Sequence, residues 1–374
     1  MHIGLNAHLL SGAAGYRSAG IHGYIDGLLR HLPACVPPDW RLTAMVGTAN
    51  QTRIDGVTMR RSRLDTTSPL RRIVWEQAIQ PFALRDFDLY HALAFVAPLP
   101  LAAPMVVTVY DLSFIHYPER LPVSRRLYLR LLTGLTCRRA RRVIAISEST
   151  ARAVARTLGV PADKIDVAQP GYDADRFRPL PADEIAAFKR RKNLPDRFWL
   201  FLGTLEPRKN LPVLLEAYAA LDERPPLILA GGKGWDTDHL FETVDRLNLA
   251  SDVSFPGFIA ADEIHFWYNC ADAFIYPSVF EGFGLPVLEA MACGTPVIVS
   301  DASSLPEVAG DAGLCVPPDD VSAWRAALAR VEGDAEWRRT ASERGIVRAW
   351  RFRWTDTAQK TIQSYRTVLE TNGK

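Results

Sequence analysis

The sequence of 374 residues has few cysteines and no long apolar run. Its five cysteines lie far apart, without a C-x-x-C pair or a histidine at zinc spacing, which argues against a disulfide framework or a zinc site. No stretch reaches the roughly 18 apolar residues that are needed to span a bilayer. The opening residues MHIGLN enter a strand pattern at once and leave no room for a signal peptide. We therefore expect ordinary buried thiols and a cytoplasmic protein.

The sequence also lacks a G-x-G-x-x-G motif after a strand, which a nicotinamide-dependent dehydrogenase needs. The net charge is only +2, but residues 1–180 carry 23 basic and 14 acidic side chains, and residues 181–374 carry 21 and 28. A chain of this length exceeds what one core usually supports, so two domains are expected. The basic first half either faces an anionic partner or attracts the acidic second half.

Short apolar runs alternate with helical patterns along the whole chain, which is typical of parallel sheets covered by helices. The strands predicted in the first half are Ile3–Ala7, Leu42–Gly47, Val57–Arg60, Leu89–Leu93, Val106–Val109, Val143–Ile146 and Val167–Ala168. Those predicted in the second half are Trp199–Gly203, Leu227–Ala230, Val253–Phe255, Ala273–Tyr276, Val297–Val299 and Leu314–Val316. The predicted helices are 20–32, 69–84, 122–138, 148–158, 212–221, 238–247, 262–270, 285–293 and 321–331.

This rhythm predicts an α/β protein with two Rossmann-like domains, which bind ligands at the carboxyl ends of their strands. The domains are expected at residues 1–180 and 181–352. A linker rich in proline, aspartate and glycine is expected at Pro170–Asp183. Residues 353–374 are predicted to form a helix that crosses back to the first domain.

The segment FEGFGLPVLEAMACGTPVIVS, residues 280–300, places two glutamates around a glycine turn. Glu281 lies before the turn. Glu289 falls inside a predicted short buried helix, and Pro286 lies near the start of that helix. Free amides at this helix start suit a phosphate or a sugar hydroxyl, and Glu289 suits a vicinal diol such as ribose. The alternative is a helix cap and an ion pair with a basic neighbour. A glycosidase-type carboxylate pair is disfavoured because the segment lies at a sheet edge.

Three other segments place polar groups or glycines where predicted strands end. FLGTLEPRKNL, residues 201–211, puts Arg208 and Lys209 before a helix, where they would clamp a diphosphate unless they are a solvated loop pair. VYDLSFIHYPE, residues 109–119, offers Asp111 and His116 to a cleft, unless they cap a turn and lie on the surface. Within residues 12–32, Gly15 and Gly20 allow close approach to an anion, but a plain flexible loop explains them equally well.

Residues 120–142 carry eight arginines interleaved with leucines in an amphipathic helical pattern. Such a helix can rest on an anionic membrane. The alternative, which the pattern favours, is a helix packed on the core with a solvated basic face. Nucleic acid is not expected as a partner, because the segment lacks a set of stacking aromatics. Three D-x-D triplets fit turn or cap chemistry better than a Mg²⁺ site: Asp86/Asp88, Asp173/Asp175 and Asp236/Asp238.

Taken together, these segments resemble the retaining GT-B glycosyltransferases of family 4, which include many bacterial mannosyl- and glucosyltransferases. The matching segments are YRSAGIHGYIDGLLRHL, VYDLSFIHYPE, FLGTLEPRKNL, PSVFEGFGLPVLEAMACGTPVIVSDASSLPEVAGDAG and FRWTDTA. The resemblance implies two Rossmann-like domains whose parallel sheets face a central cleft. It also implies retaining, metal-independent transfer of a mannose- or glucose-type hexose from a GDP- or UDP-linked sugar, without a cofactor. The acceptor would be a glycan or a lipid-linked molecule of polysaccharide biosynthesis.

The resemblance implies a role for each matching residue. The residues implied to be catalytic are Asp111, Arg208, Lys209 and Glu281, of which Arg208 and Lys209 would neutralise the departing diphosphate. The residues implied to bind the donor are Gly20, Thr204, Ser254, Phe255, Phe283, Gly284, Leu285 and Glu289. Tyr110 and His116 are placed on the acceptor side, and no residue is implied as a metal ligand.

Two positions depart from the family pattern. Many relatives carry histidine where Tyr110 precedes Asp111, and arginine where Thr204 follows the strand-ending glycine. These departures leave open a second function, that of a sugar-nucleotide-binding or scaffold protein which has lost transfer activity. The expected location is the cytoplasm, with peripheral contact between residues 120–142 and the inner membrane face.

Overall fold

The computed structural model describes residues 1–10, 19–48, 50–62, 73–120 and 122–371. The chain divides into two compact units. The first unit comprises Met1–Gly171 and Arg353–Lys374, and the second comprises Tyr172–Phe352. The first unit is therefore discontinuous in sequence, because the chain leaves it and returns with its last helix.

Within the described residues, seven parallel strands form the sheet of the first unit, in the order β3-β2-β1-β4-β5-β6-β7. In the register of this sheet, Ile3 lies opposite Leu42 on one side and Leu89 on the other. The strands are β1 (His2–Asn6), β2 (Arg41–Val46), β3 (Val57–Arg61), β4 (Leu89–Ala92), β5 (Met105–Val109), β6 (Arg142–Ala145) and β7 (Ile165–Val167). The central strands β4 and β5 are buried along their whole length, which is typical of a sheet covered on both faces.

Local sequence signals mark both ends of the helix Glu148–Leu158 (α5): the Ser147 hydroxyl caps the amide of Thr150, and Gly159 ends the helix in a left-handed conformation. The helices described before the second unit are α1 (Ala19–His31), α2 (Gln80–Ala83, after a π-helical turn at Trp75–Ile79), α3 (Ser113–His116), α4 (Val123–Arg139) and α5 (Glu148–Leu158).

The last helix of the chain, α14 (Trp354–Thr371), is part of the first unit. Tyr365 on this helix hydrogen-bonds His91 Nδ1 through its hydroxyl at 2.6 Å, and His91 Nε2 contacts the Thr108 hydroxyl at 2.8 Å. Burial lowers the pKa of His91 to about 3, so the imidazole is neutral at physiological pH. A satisfied buried network therefore joins α14 to strands β4 and β5.

The second unit contains a six-stranded parallel sheet in the order β10-β9-β8-β11-β12-β13. Its strands are β8 (Trp199–Leu202), β9 (Leu227–Ala230), β10 (Val253–Ser254), β11 (Ala273–Tyr276), β12 (Val297–Ser300) and β13 (Leu314–Val316). Its helices are α6 (Ala182–Lys192), α7 (Leu211–Ala219), α8 (Asp238–Arg246), α9 (Ile264–Cys270), α10 (Leu285–Ala292), α11 (Leu305–Ala309), α12 (Val321–Gly333) and α13 (Ala335–Ala349). Both sheets have the parallel α/β architecture predicted from the sequence.

The structure corrects several predicted elements. Helices α6 and α13 were not predicted, because α6 buries only Phe188 and α13 buries only the small residues Ala341, Gly345 and Ala349, so neither has a strong apolar stripe. The short helices α3 and α11 were also missed. The prediction at Gly15 and the start of the predicted helix 69–84 lie outside the described residues.

The first segment of the first unit ends at Gly171, nine residues before the predicted boundary at residue 180. The intervening segment packs on the second unit: Phe177 is buried, and the Asn269 side chain accepts a hydrogen bond from the amide of Leu180 at 2.8 Å and donates one to the carbonyl of Arg178 at 3.1 Å. Two cysteines also differ from expectation, because Cys315 is exposed and Cys35 is only partly buried. None of the helices in the described part of the chain is long and apolar enough to cross a membrane.

Two glycines of α1 give a matched test of the packing between α1 and α14. A Cβ atom at Gly27 would lie 2.3 Å from the indole of Trp354, whereas one at Gly23 would meet no described atom within 4 Å. We expect Gly27→Ala to lower the free energy of unfolding by about 1–3 kcal/mol through overpacking. Gly23→Ala should raise it by up to about 1 kcal/mol through helix propensity. Denaturant unfolding checks both, and equal effects of the two substitutions would contradict this packing.

Candidate active site

The candidate site of the second unit is built where β8 and β11 end. After β8, the chain forms a loop with a 3-10 turn at Pro207–Lys209, and Asn210 adopts a left-handed conformation before Pro212 helps to begin α7. The carbonyl of Arg208 accepts a hydrogen bond from the amide of Val279 at 2.9 Å, which ties this loop to the segment that follows β11. The predicted cations are thereby held against the loop that carries Glu281.

Lys209 is the most enclosed charge of the site, with 3% of its surface exposed. Its ammonium donates to the Tyr276 hydroxyl at 2.6 Å and to Glu281 Oε1 at 2.5 Å. Burial and the neighbouring Arg208 lower the pKa of Lys209, and Glu281 opposes this shift. The sequence placed Lys209 beside a diphosphate site but gave no sign of Tyr276, which comes from a strand 67 residues away.

Arg208 is held by two carboxylates. Its Nη1 lies 2.9 Å from Glu281 Oε1 and donates to the carbonyl of Phe280 at 2.9 Å, and its Nε pairs with Glu206. Two cations therefore share the site with two carboxylates, so the cluster of Glu206, Arg208, Lys209 and Glu281 carries no net charge when all four are ionised. Both cations that were predicted to clamp a diphosphate therefore already have acidic partners.

Glu281 receives both cations on a single oxygen, Oε1. Burial alone would raise the pKa of this carboxyl, but Arg208 and Lys209 outweigh burial and hold it below its usual range. Two serines fix the backbone here: the hydroxyls of Ser303 and Ser304 donate to the Glu281 carbonyl at 2.6 and 3.0 Å. The sequence analysis missed both serines, although they fall inside the matching segment DASSLPEV.

The glycine turn prepares the amino end of α10 to bind an anion. Gly284 has φ 108°, and a Cβ atom there would lie 2.8 Å from Leu305 Cδ2, so this position requires glycine. The amides of Phe283, Gly284 and Leu285 donate no hydrogen bond to any residue in the described part of the chain. Three unpaired amides at a helix start offer donors and a partial positive charge to an anion.

Glu289 lies one turn into α10, where it is partly buried. The hydroxyl of Tyr268 donates to its Oε2 at 3.1 Å. Burial raises the pKa of Glu289 to about 7, and the Tyr268 hydrogen bond and the charge of Arg176 only partly oppose this. The two glutamates of the glycine turn therefore have opposite environments, since Glu281 is paired with cations and Glu289 is mainly desolvated.

The predicted base-binding residues lie at the carboxyl end of β10. Ser254 is exposed, and the ring of Phe255 packs 5.0 Å from the ring of Phe241 on α8. Lys233 lies in the loop after β9 with its ammonium 4.7 Å from the centre of the Phe241 ring. The sequence analysis did not identify Lys233 and Phe241, because their contact with Phe255 depends on the order of strands in the sheet. Thr204 follows the carboxyl end of β8 and is partly exposed.

The predicted site residues of the first unit differ in their exposure and in their hydrogen bonds. Gly20 lies in the first turn of α1, and a Cβ atom there would meet no described atom within 4 Å. Asp111 is partly exposed after β5 and caps the amide of Ser113 at 2.9 Å, which is the capping alternative considered from the sequence. His116 is exposed at the end of α3. Tyr110 is corrected, because its ring is buried and its hydroxyl donates to the Leu93 carbonyl at 2.7 Å.

The structure also bears on metal sites and on the D-x-D triplets. No group of three or more histidine, cysteine or acidic side chains within the described ranges could hold a metal ion. Asp173 Oδ1 accepts from the amides of Asp175 and Arg176 at 3.2 Å, which is turn chemistry. Asp88 accepts from the amide of His2 at 2.7 Å.

Comparison with known proteins gives two adjacent family matches. Residues 36–176 match the family described as Glycosyltransferase Family 4, and residues 183–348 match Glycosyl transferases group 1. The chain is 35% identical over 293 residues to O-antigen chain mannosyltransferase B of Escherichia coli. The matched region covers 77% of this chain and 77% of that protein. It is 29% identical over 275 residues to O-antigen chain mannosyltransferase RfbU of Salmonella typhimurium, covering 72% of this chain and 74% of RfbU.

Solved structures agree on the fold. Sucrose-phosphate synthase from Thermosynechococcus elongatus superimposes with a TM-score of 0.76 at 23% identity, covering 99% of each chain. Anabaena HepE, solved in complex with UDP and glucose, superimposes with a TM-score of 0.76 at 21% identity, covering 98% of this chain and 100% of HepE. The two parallel sheets and these neighbours show the GT-B fold, and the family matches and the mannosyltransferase relative show that the chain is a glycosyltransferase. Within that class, the chain belongs to glycosyltransferase family 4.

The raised pKa of Glu289 predicts a pH dependence of stability. The folded state keeps the proton up to about pH 7, whereas the unfolded chain releases it near the ordinary glutamate pKa of 4.5, so stability falls as pH rises through this window. By pH 8 the wild type should have lost about 2–4 kcal/mol that Glu289→Gln retains. Denaturant unfolding of both proteins at pH 5 and pH 8 measures this difference.

Glu242→Gln on the exposed face of α8 is the matched control, and it should track the wild type. A constant difference in stability between Glu289→Gln and wild type across this range would contradict the assigned environment of Glu289.

Proposed function

We propose that this glycosyltransferase is a retaining hexosyltransferase that moves mannose from a nucleotide-diphosphate sugar to a glycan or lipid-linked acceptor without a metal ion. The observation that carries the proposal is the contact of Arg208 and Lys209 with Glu281, beside three unpaired amides at the amino end of α10. Mannose is favoured as the sugar because the two O-antigen relatives are named mannosyltransferases. The two candidate donors are GDP-linked and UDP-linked sugars.

The diphosphate is proposed to lie between the cations and the start of α10. When the bond from the sugar C1 to the phosphate oxygen breaks, the diphosphate takes the electron pair and gains negative charge. Arg208, Lys209 and the amides of Phe283, Gly284 and Leu285 are the N–H groups proposed to stabilise that charge. Because the cluster has no net charge, stabilisation comes from directed N–H groups rather than from excess positive charge.

Glu281 has a positioning role in this proposal. Its Oε1 is occupied by the two cations, so Oε2 is the oxygen that accepts a hydrogen bond from a hydroxyl of the donor sugar. Its low pKa keeps it ionised throughout the working pH range. The acceptor hydroxyl attacks C1 from the face that the leaving group vacates, and its proton passes to the departing phosphate oxygen. Configuration at C1 is thereby retained, and no further acid or oxidant is required.

Glu289 is proposed to bind the ribose. An ionised carboxylate can accept two hydrogen bonds from a vicinal diol while still accepting the one from Tyr268. The base is proposed to lie against the backbone of Ser254 and Phe255. Lys233 and Phe241 are added to this region because they pack with Phe255.

Calorimetric titration tests the donor site. The protein is titrated with GDP, UDP, GDP-mannose and UDP-glucose in the presence of EDTA. We expect Lys209→Met to weaken binding of the preferred donor about 10–100-fold, because each charge-assisted contact is worth roughly 1.5–3 kcal/mol. Lys360→Met, at an exposed lysine of α14, is the control that should bind like wild type.

The outcomes of this titration separate the two functions considered from the sequence. Selective binding followed by transfer to an acceptor, with the anomeric configuration read by NMR, supports the proposal, and an inverted product overturns retention. Selective binding without transfer to any glycan or lipid-linked acceptor favours a sugar-nucleotide-binding protein. Equal binding by Lys209→Met and wild type would refute the placement of the diphosphate.

The affinity for the nucleotide sugar should depend on pH through Glu289. Only its ionised form accepts both ribose hydrogen bonds, so the dissociation constant should rise as pH falls below about 7, approaching tenfold per unit. Glu289→Gln should bind more weakly but with little pH dependence between pH 5.5 and pH 8. The nucleotide sugar is used because the terminal phosphate of a free diphosphate itself titrates near pH 6. A wild-type affinity that does not change over this range would remove Glu289 from the donor site.

A further inference from the structure

Helix α4 of the first unit, Val123–Arg139, presents a row of aliphatic residues to solvent, whereas Leu129 packs against the core. Four of them follow one another at intervals of four along the helix: Val123, Leu127, Leu131 and Leu135. Their exposed fractions are 66%, 61%, 62% and 39%. Residues four apart lie on one face of a helix, so these side chains form a continuous apolar stripe, which we call the α4 stripe.

The inward face of the same helix is unexpectedly polar. Its buried residues are Thr133, Thr136 and Cys137, and the Thr136 hydroxyl accepts a hydrogen bond from the amide of Ala97. The sequence pattern favoured a helix packed on the core with a solvated basic face. Leu129 does pack against the core, and Arg125, Arg130, Arg138 and Arg139 are exposed, but the exposed aliphatic residues were not expected. Leaving this many large aliphatic side chains in water while threonines are buried indicates a surface that is covered by a partner.

Arginines flank the α4 stripe. Helix α4 contains five arginines and no acidic residue. On one flank, Arg126 and Arg130 make no ion pair with any residue in the described part of the chain. Beyond the end of the helix, Arg139 and Arg141 are exposed and border a surface cavity of about 730 Å³. The partner must therefore offer an apolar layer beside a dense negative charge.

We propose that the α4 stripe docks on an anionic lipid membrane. An amphipathic helix lying in the plane of a bilayer buries its apolar face below the headgroups, while flanking arginines contact the lipid phosphates. With 17 residues, α4 spans about 25 Å, which is long enough to lie flat on such a surface. The α4 stripe and its flanking arginines are therefore the surface by which residues 120–142 would contact the membrane.

Two other occupants fit the charges less well. In a two-fold contact between copies of this chain, the same patch faces itself, so an α4–α4 interface would set arginines against arginines. Nucleic acid would meet four aliphatic side chains, and the single aromatic residue of the helix, Tyr128, provides no stacking platform.

The position of α4 gives this docking surface a consequence for the acceptor. The segment that includes Asp111 and α3 follows β5 and leads directly into α4, whose first turn contains Val123. Docking of the α4 stripe would bring this carboxyl edge of the first sheet close to the headgroups. A lipid-linked acceptor would then reach Asp111 without leaving the membrane, and this last step rests on the proposed function.

Vesicle flotation of the full-length protein tests the docking. Vesicles of phosphatidylcholine are compared with vesicles that also contain phosphatidylglycerol, at about 0.1 M and about 1 M salt, where the screening length falls from about 10 Å to about 3 Å. We expect binding to the anionic vesicles only, and weaker binding at the higher salt.

Two double variants address the two halves of the surface. Arg126→Gln with Arg130→Gln should weaken vesicle binding about 25-fold, at about fivefold for each arginine. Leu127→Ser with Leu131→Ser should weaken it at least about tenfold through lost apolar burial. Val347→Ser and Arg190→Gln, at exposed positions of the second unit, are matched controls that should bind like wild type.

The remaining outcomes decide against the proposal. It is overturned if wild type does not bind anionic vesicles, if both double variants bind like wild type, or if light scattering shows a dimer that the leucine variant dissociates. Circular dichroism and titration with the preferred nucleotide sugar show whether the variants remain folded and donor-competent. Because donor binding and vesicle binding are measured separately, failure of one does not count against the other.

Discussion

The second unit is organised around one buried ammonium, that of Lys209. A charge removed from water must be matched by a carboxylate and by further hydrogen bonds, or it destabilises the fold by several kcal/mol. Meeting that requirement brings together the loop after β8, the end of β11 at Tyr276 and the loop that carries Glu281. The serines at 303 and 304 then fix the Glu281 backbone. These contacts set the position of the glycine turn and of α10, on which the remaining donor residues stand.

The two glutamates of this turn show how environment separates residues of the same chemistry. Glu281 faces two cations and has a lowered pKa, whereas Glu289 has a raised pKa because burial outweighs the Tyr268 hydrogen bond and the charge of Arg176. The first carboxylate is a permanent part of an ion-pair cluster. The second is charged only with difficulty, which makes it sensitive to a ligand that supplies hydrogen bonds. A lowered pKa is what a structural ion pair requires of Glu281. A raised pKa is what is expected of Glu289 if it is a ligand-binding carboxylate.

Some of this arrangement was predictable from the sequence. Strands such as Leu227–Ala230 and Ala273–Tyr276 are short apolar runs with clear ends, and Arg208, Lys209, Glu281 and Glu289 lie in segments punctuated by glycine and proline. Contacts from distant elements were not predictable, because Tyr268 and Tyr276 reach the glutamates only through strand order and helix packing. The exposed aliphatic row of α4 was not predicted, because an amphipathic pattern does not show which apolar residues meet the core when threonines pack inside.

The discontinuity of the first unit has a consequence for synthesis of the protein. Ribosomes make the chain from its amino end, so all seven strands of the first sheet exist long before α14 appears. Until then, His91 lacks its Tyr365 partner, and the surface around Gly27 lacks the Trp354 indole. The second unit is contiguous and can complete its core while the first still waits for its last helix. The nascent chain should therefore complete the second unit before the first, which becomes stable only once α14 has been made.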